Sequence, residues 1–374
     1  FNFSFIKAGG GQNVALNFIN SINIHDYNYY YVVSNNSLIH NYLLENECNN
    51  FKVVSNNPLK RTFWEFFNGN KFIKENNIQI IYTYFGYSFF SKKTPQVIGA
   101  ADSNLFFPEI DFWKEFKGIQ LLKRKVIDRF RIYGLENADG IIFENELLEK
   151  KCNDLFKIKA LTKTILPSIN LNYNQKLLNL DSLTSSKTIK KGLFLCSWQR
   201  HKGILLIPEL ASILKTHGIL FNFIITAPND KSKIHVEFES LIKKYDVSDY
   251  ISIIGSVNKS KLRSLYSQID LVFLLSTLES FSNNIIEAWA YHKPLLISDE
   301  EWAQGLCGDS ALYVNRNELN KLANSIEVIL DDKDLYNSLI LNGQKKLLEY
   351  PSIKEKTNLE LKFINDVLKK NENL

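Results

Sequence analysis

Apolar, β-favouring stretches alternate with stretches of helical periodicity along most of this 374-residue chain. Such alternation is typical of parallel sheets that are covered by helices on both faces. It is clearest in the second half, which therefore predicts a doubly wound unit. The candidate strands there are 192–198, 220–226, 251–257, 270–276 and 294–298, and the candidate helices lie around 203–216, 233–245, 259–268, 283–292, 317–330 and 333–348.

The first half repeats the pattern less regularly. Its candidate strands are 27–34, 78–85, 95–102 and 138–144, with one helix from about residue 12 and another inside 112–134.

Length and pattern together predict two domains, because a chain of this size exceeds what one hydrophobic core usually serves. We expect an N-terminal domain over 1–168 and a C-terminal domain over 169–351, with a hinge at 165–175. A final helix over 352–374 is expected to pack back on the N-terminal domain. Ligands bind at the carboxyl ends of parallel strands, so two facing sheets predict a shared cleft.

Composition narrows the class of protein. No apolar run reaches the ~20 residues that span a bilayer, and the formal charge of +5 is mild, so we expect a cytoplasmic protein without a nucleic-acid partner. The cysteines form no CxxC and the histidines show no zinc spacing, which predicts reduced thiols and no metal site. The one Asp-x-Asp, Asp332 to Asp334, begins a candidate helix and is interpreted as a helix cap.

Segment 112–134 carries seven basic residues against Glu115 and Asp128. Large apolar side chains alternate with these cations, as in a helix that lies in a membrane interface. The alternative is a surface helix that packs its apolar side on its own domain. The segment predicts peripheral association with the inner face of the cytoplasmic membrane.

Glycines open the first candidate loop, "KAGGGQNVALNFI", in which Gly9, Gly10 and Gly11 precede a helix. Consecutive glycines let backbone N–H groups approach an anion at a helix N-terminus. A tight turn without a ligand is the alternative.

Cations mark the second loop, "CSWQRHKGILL", which places Arg200, His201 and Lys202 where a strand ends and a helix begins. Such a pair of Arg and Lys suits a diphosphate. The alternative is a solvated surface loop.

Two carboxylates mark the third loop, "LESFSNNIIEAWAYHKP". Glu279 lies in the loop, and Glu287 follows about one turn into a helix that begins near Ser282 or Asn283, which places the carboxylates roughly 8–12 Å apart. The amides of Ser280, Phe281, Ser282 and Asn283 face a helix N-terminus, which favours phosphate. The alternative is an ordinary loop glutamate followed by one that stabilises the first turns of a helix.

These three loops resemble those of glycosyltransferase family 4. The E-x7-E from Glu279 to Glu287 is the specific feature, and the Lys202-Gly203 corner and the glycines at 9–11 accompany it. The resemblance implies the GT-B fold, with two Rossmann-like doubly wound parallel-sheet domains facing across a cleft. It also implies a nucleotide-sugar donor in the C-terminal domain, where Glu287 holds the ribose, Lys202 the diphosphate, and Glu279 lies beside the transferred sugar. The resemblance further implies that the base packs near Ser256 and Val257.

The family implies retention of anomeric configuration without a bound metal or other cofactor. The expected function is transfer of a sugar from a UDP- or GDP-sugar to a glycan or lipid-linked glycan in polysaccharide or lipopolysaccharide biosynthesis. Asp102, after strand 95–102, is the candidate acceptor-side group.

Two positions differ from the family pattern. Cys196 and Ser197 stand where the family often has an arginine, for which Arg200 is the candidate substitute, and no histidine follows strand 95–102. Two alternatives stay open: a sugar-nucleotide 2-epimerase on the same scaffold, and a catalytically inactive nucleotide-sugar-binding partner subunit.

Overall fold

A computed structural model describes residues 1–7, 10–22, 28–88, 91, 93–169 and 189–372. The chain divides into two compact units, Phe1–Asn170 with Pro351–Leu374, and Leu171–Tyr350. The sequence predicts domain boundaries at 168 and 351. Most of the expected hinge, from residue 170 onward, and Gly9 of the glycine loop lie outside the described residues.

The first unit contains a parallel sheet. Its strands are β1 (Tyr31–Ser34), β2 (Phe51–Val54), β3 (Ile81–Thr83), β4 (Gln96–Ala100), β5 (Gly140–Phe143) and β6 (Leu161–Thr164). Asn2 bridges Val32 of β1 and Thr83 of β3, so the chain start runs between these strands. The order across the sheet is β2, β1, residues 1–3, β3, β4, β5, β6.

Helices lie between most of these strands, as in the βαβ pattern. They are α1 (Gly10–Ser21), α2 (Leu38–Glu45), α3 (Pro58–Glu75), α4 (Gly118–Glu136) and α5 (Glu146–Leu155). Helix α1 begins two residues earlier than the sequence predicts. Gly10 and Gly11 therefore lie in its first turn and not in a loop before it.

The second unit is the more regular one. Its strands are β7 (Lys190–Phe194), β8 (Phe221–Ile225), β9 (Ile251–Ile253), β10 (Leu271–Leu274), β11 (Leu295–Ser298) and β12 (Leu312–Val314), and its helices are α6 (Ile207–Thr216), α7 (Lys233–Tyr245), α8 (Lys259–Tyr266), α9 (Asn283–Ala290), α10 (Glu301–Cys307), α11 (Leu319–Asp331) and α12 (Lys333–Leu347). The sheet is parallel throughout, in the order β12-β11-β10-β7-β8-β9. The predicted doubly wound parallel sheets are confirmed.

Burial explains why the second unit was the easier to predict. All four residues of β10 are buried, as expected for a central parallel strand that is covered on both faces. Helix α6 buries Ile207, Leu210, Ala211 and Leu214, the spacing of one helix face. Asp332 accepts hydrogen bonds from the backbone N–H groups of Asp334 and Leu335, so its interpretation as a helix cap is confirmed.

The last helix, α13 (Ile353–Glu372), belongs to the first unit. Gly140 of β5 makes room for it, because a Cβ at that position would lie 2.6 Å from Val367 and 3.1 Å from Phe363. No helix in the described ranges combines the length and the hydropathy that crossing a membrane requires.

Candidate functional site

The second sheet reverses its direction of winding between β7 and β10. From β7 the chain continues outward to β8 and β9, and from β10 it continues to β11 and β12 on the other side. Loops that leave two neighbouring strands in opposite directions open a crevice at the carboxyl edge of the sheet, which is where ligands of doubly wound folds bind. These two loops carry Lys202 and Glu279.

Lys202 and Glu279 form an ion pair across this crevice. The side chains are 22% and 10% exposed, so the pair is mostly shielded from water. The hydroxyl of Ser276 donates a second hydrogen bond of 2.6 Å to the same carboxylate oxygen. The family resemblance predicts that these two residues contact separate parts of a ligand, and the structure brings them into contact with each other.

Gly203 explains why glycine follows this lysine. Its φ is +78°, in the left-handed region, and a Cβ there would lie 2.4 Å from the carbonyl oxygen of Leu275 at the end of β10. The backbone of the Lys202 corner therefore lies directly against the neighbouring loop, which only glycine permits.

We expect Gly203→Ala to lower the free energy of unfolding by roughly 3 kcal/mol or more, because it combines left-handed strain of about 1–2 kcal/mol with a forced shift of the two loops. Gly218→Ala is the matched control, since Gly218 has a φ of +72° but nothing within 4 Å of its Cβ position. Denaturant unfolding of both variants measures the difference. Equal losses would show that the close approach of Gly203 to Leu275 carries no energy.

Helix α9 follows the loop that leaves β10. Ser282 occupies the N-cap position and is 8% exposed, but within the described part of the chain its hydroxyl caps no helix N–H. The side chain of Asn284 donates a 2.8 Å hydrogen bond to the carbonyl of Leu195, just after β7. The helix start is thereby fixed beside the crevice, where its first N–H groups present partial positive charge.

Glu287 lies on α9, as the sequence predicts. The hydroxyl of Tyr266 donates a 3.2 Å hydrogen bond to its carboxylate, and the Tyr266 ring stacks on Tyr291 at 4.4 Å between centroids. Glu287 is half-buried. Tyr266, at the end of α8, thus orients this carboxylate, a contact that no local motif indicates.

Arg200 pairs with a carboxylate other than Glu279. Its guanidinium forms an ion pair with Glu237 of α7, and both side chains are 39% exposed. Burial raises the pKa of the Cys196 thiol to about 12, so this residue supplies no charge where the family often has an arginine. The use of Arg200 as a substitute stays a prediction.

The remaining predicted donor residues occupy the same edge of the sheet or the α9 loop. Ser256 is exposed and Val257 half-buried in the loop after β9, two strands from β7. Ser280 and Phe281 are half-buried, and the Phe281 ring lies 5.9 Å from that of Tyr350. Asn283 is exposed as the first residue of α9. Their ligand roles stay predictions.

Arg316, like Tyr266, is a site residue that the sequence does not predict. It lies two residues after β12, a strand absent from the sequence prediction, and its Nη1 contacts both crevice loops. His201 lies beside it, and burial, with the charge of Lys202, lowers the pKa of this histidine. The His201 imidazole is therefore mostly neutral at neutral pH.

The first unit holds Asp102, the predicted acceptor-side residue, and Gly10 and Gly11, which the sequence predicts to bind the donor. Asp102 follows β4 and pairs with Arg131 of α4 at 3.1 Å. Burial raises the pKa of Asp102, and the charge of Arg131 opposes that rise. A Cβ on Gly11 would lie 3.3 Å from Ile6 and 3.7 Å from Phe85, so side-chain packing accounts for that glycine. No group of three metal-binding side chains occurs among the residues that the structure describes.

Comparison with known proteins gives a family match and a set of similar folds. Residues 181–346 match the family described as glycosyl transferases group 1. An uncharacterized glycosyltransferase of Methanocaldococcus jannaschii is 24% identical over 57% of this chain, which matches 56% of that relative's length.

Solved structures extend the likeness over nearly the whole chain. Sucrose-phosphate synthase of Thermosynechococcus elongatus has a TM-score of 0.73 at 16% identity, covering 97% of this chain and 95% of its own. HepE of Anabaena, in complex with UDP and glucose, has a TM-score of 0.69 at 18% identity, covering 98% of both chains. Residues 181–346 are therefore similar to glycosyl transferases group 1, and the chain has the GT-B fold.

Proposed function

We propose that this protein is a retaining glycosyltransferase of family 4 that moves a sugar from a UDP- or GDP-sugar to a glycan or lipid-linked glycan in polysaccharide or lipopolysaccharide biosynthesis. The contact between Lys202 and Glu279 at the reversal point of the second sheet carries the proposal. It places a cation and a carboxylate beside the start of α9, so that one crevice can meet both the diphosphate and the sugar of a donor.

Each group has a role that follows from its charge and position. The ammonium of Lys202 and the first N–H groups of α9 face the same crevice and suit the charge that develops on a departing diphosphate. Glu287, oriented by Tyr266, accepts hydrogen bonds from the ribose hydroxyls. Glu279 contacts the transferred sugar. The cationic side chain and amides neutralise the leaving group, and we therefore expect activity to survive EDTA.

The first donor to test is a UDP-sugar. HepE, which is similar in fold, is described in complex with UDP and glucose and with UDP-glucose. The deciding experiment incubates this protein with labelled UDP-sugar and an acceptor glycan, and follows the products by NMR spectroscopy. We expect free UDP and a new glycosidic bond with the donor's anomeric configuration. An isomerised UDP-sugar would instead support the epimerase, and donor binding without turnover would support the inactive subunit.

Residues 112–134 are proposed to bind a membrane surface, where a lipid-linked acceptor is found. Helix α4 buries only Gly134 and Leu135, whereas Ile119 is 70% and Leu122 61% exposed. A helix that carries lysines and arginines and turns large apolar side chains to solvent fits an anionic lipid surface. Helix α3 of the same unit exposes three phenylalanines, Phe63, Phe66 and Phe67, 62% each.

Vesicle flotation tests this association. We expect the protein to float with vesicles that contain anionic lipid and not with purely zwitterionic ones. Replacing both Ile119 and Leu122 by Ser should weaken flotation about 10-fold or more, since each buried CH2 contributes ~0.8 kcal/mol. Leu348→Ser, at a 75% exposed leucine of the other unit, is the matched control. Flotation that fails with anionic vesicles would contradict the membrane proposal while leaving the transfer reaction intact.

A further inference from the structure

Arg316 connects the two loops that form the donor crevice. Its Nη1 lies 2.7 Å from the carbonyl oxygen of Leu275 and 2.6 Å from the hydroxyl of Thr277, both in the loop after β10. The same nitrogen lies 3.3 Å from the carbonyl oxygen of His201, in the loop after β7. One side chain from a third loop, after β12, therefore bonds to both walls of the crevice.

These contacts flank the two residues that the proposed function uses. His201 directly precedes Lys202, and Thr277 lies two residues before Glu279. Direct backbone contacts join the same walls, because the N–H of Thr277 donates to the His201 carbonyl at 2.7 Å. The Leu275 carbonyl is shared, since it accepts from Arg316 and also lies against Gly203.

Thr277 forms hydrogen bonds through its hydroxyl, its N–H and its carbonyl at the junction of the two loops. Its hydroxyl accepts from Arg316, its N–H bonds to His201, and its carbonyl accepts a 3.1 Å hydrogen bond from the indole of Trp302. Without Arg316, the two loops keep their backbone hydrogen bond but lose the side-chain contacts that fix their relative position. We therefore expect the loops to shift while the fold is kept.

We propose that Arg316 is a positioning residue, which holds the Lys202 corner and the Glu279 loop at a fixed separation so that the donor diphosphate meets a preformed site. This inference rests on the proposed function of the crevice. Ordering flexible loops upon binding costs affinity, so a clamp present before the donor arrives strengthens donor binding without touching the donor.

Calorimetric titration with UDP, at a temperature well below unfolding, tests the inference. We expect Arg316→Gln to weaken UDP binding about 10- to 100-fold, as for loss of hydrogen bonds from a charged donor. Arg316→Lys should recover much of that loss, because an ammonium can still donate to these oxygens. Thr277→Val, which removes one acceptor, should weaken binding roughly 3- to 10-fold. Arg263→Gln, at an exposed arginine on α8, should bind UDP as the wild type does.

Steady-state kinetics supply the second readout. A positioning role raises the KM for the donor in Arg316→Gln and leaves the KM for the acceptor unchanged. Wild-type UDP affinity in Arg316→Gln, with only a lowered melting temperature, would overturn the inference alone. If Arg316→Gln does not fold, wild-type affinity in Thr277→Val overturns it. A wild-type protein that binds no UDP- or GDP-sugar would overturn the proposed function and this inference together.

Discussion

Lys202→Met is expected to lower kcat about 100- to 1,000-fold, the effect of removing one preorganised group aimed at developing charge. The substitution removes the ammonium that pairs with Glu279 in the crevice. It also leaves Glu279, which is 10% exposed, as an uncompensated carboxylate facing a dianionic diphosphate. Both effects act on the donor, so affinity for UDP should fall as well.

Two variants separate these effects. Lys215→Met removes an exposed lysine that pairs with Asp246, at the opposite end of α6, and should leave kcat unchanged. The double variant Lys202→Met with Glu279→Gln removes both charges and should bind UDP more tightly than Lys202→Met alone. A wild-type kcat in Lys202→Met would exclude this lysine from the reaction.

Lys356→Met is expected to destabilise the first unit by about 3–5 kcal/mol, the usual cost of breaking one half of a buried ion pair. Lys356 and Glu360 of α13 are 5% and 1% exposed. The Nζ of Lys356 lies 2.5 Å from Oε1 of Glu360. The Tyr82 and Tyr84 hydroxyls donate to the same carboxylate oxygen at 3.2 and 3.3 Å. Burial acts to lower the pKa of Lys356, but the charges of Glu360 and Tyr84 and the hydrogen bonds to both together outweigh burial and raise that pKa above its ordinary value. Lys356 therefore stays charged at neutral pH.

Hydrogen exchange followed by mass spectrometry measures the loss in the first unit separately, because a two-unit chain need not unfold in one step. Lys362→Met, at an exposed lysine on the same helix, is the matched control. The double variant Lys356→Met with Glu360→Gln should recover most of the lost protection, since it leaves no buried charge. Equal protection in Lys356→Met and the wild type would show that α13 does not depend on this pair.

The second unit was predictable because its strands are continuous apolar stretches and its helices have regular apolar faces. Strands β7 to β11 and all but one of the α-helices described in this unit have sequence counterparts, although each strand is shorter than its apolar stretch. The sequence does not predict the short strands: β12 has three residues, and β2 and β6 each carry an exposed lysine among half-buried residues. Such segments form strands because neighbouring strands pair with them, and the local sequence does not indicate that pairing.

The sequence predicts which loops form the site, but it does not predict the contacts between those loops. Each loop motif placed its own residue at the carboxyl edge of a strand, but the pairing of Lys202 with Glu279 depends on β7 and β10 being neighbours. Arg316 and Tyr266 belong to no motif and reach the site only through the fold. The burial of Lys356 is not predictable for a different reason, because a lysine in an amphipathic helix is ordinarily solvated.

Binding of a nucleotide sugar to the second unit is the central claim, and a thermal-shift titration with UDP-, GDP- and ADP-sugars tests it most directly. A ligand that binds only the folded protein stabilises it by about 2.7 kcal/mol at 100 times its Kd. We predict that a UDP- or GDP-sugar raises the melting temperature of the wild type progressively with concentration, and of Lys202→Met much less. A melting temperature that stays constant with every sugar nucleotide at millimolar concentration would contradict the claim.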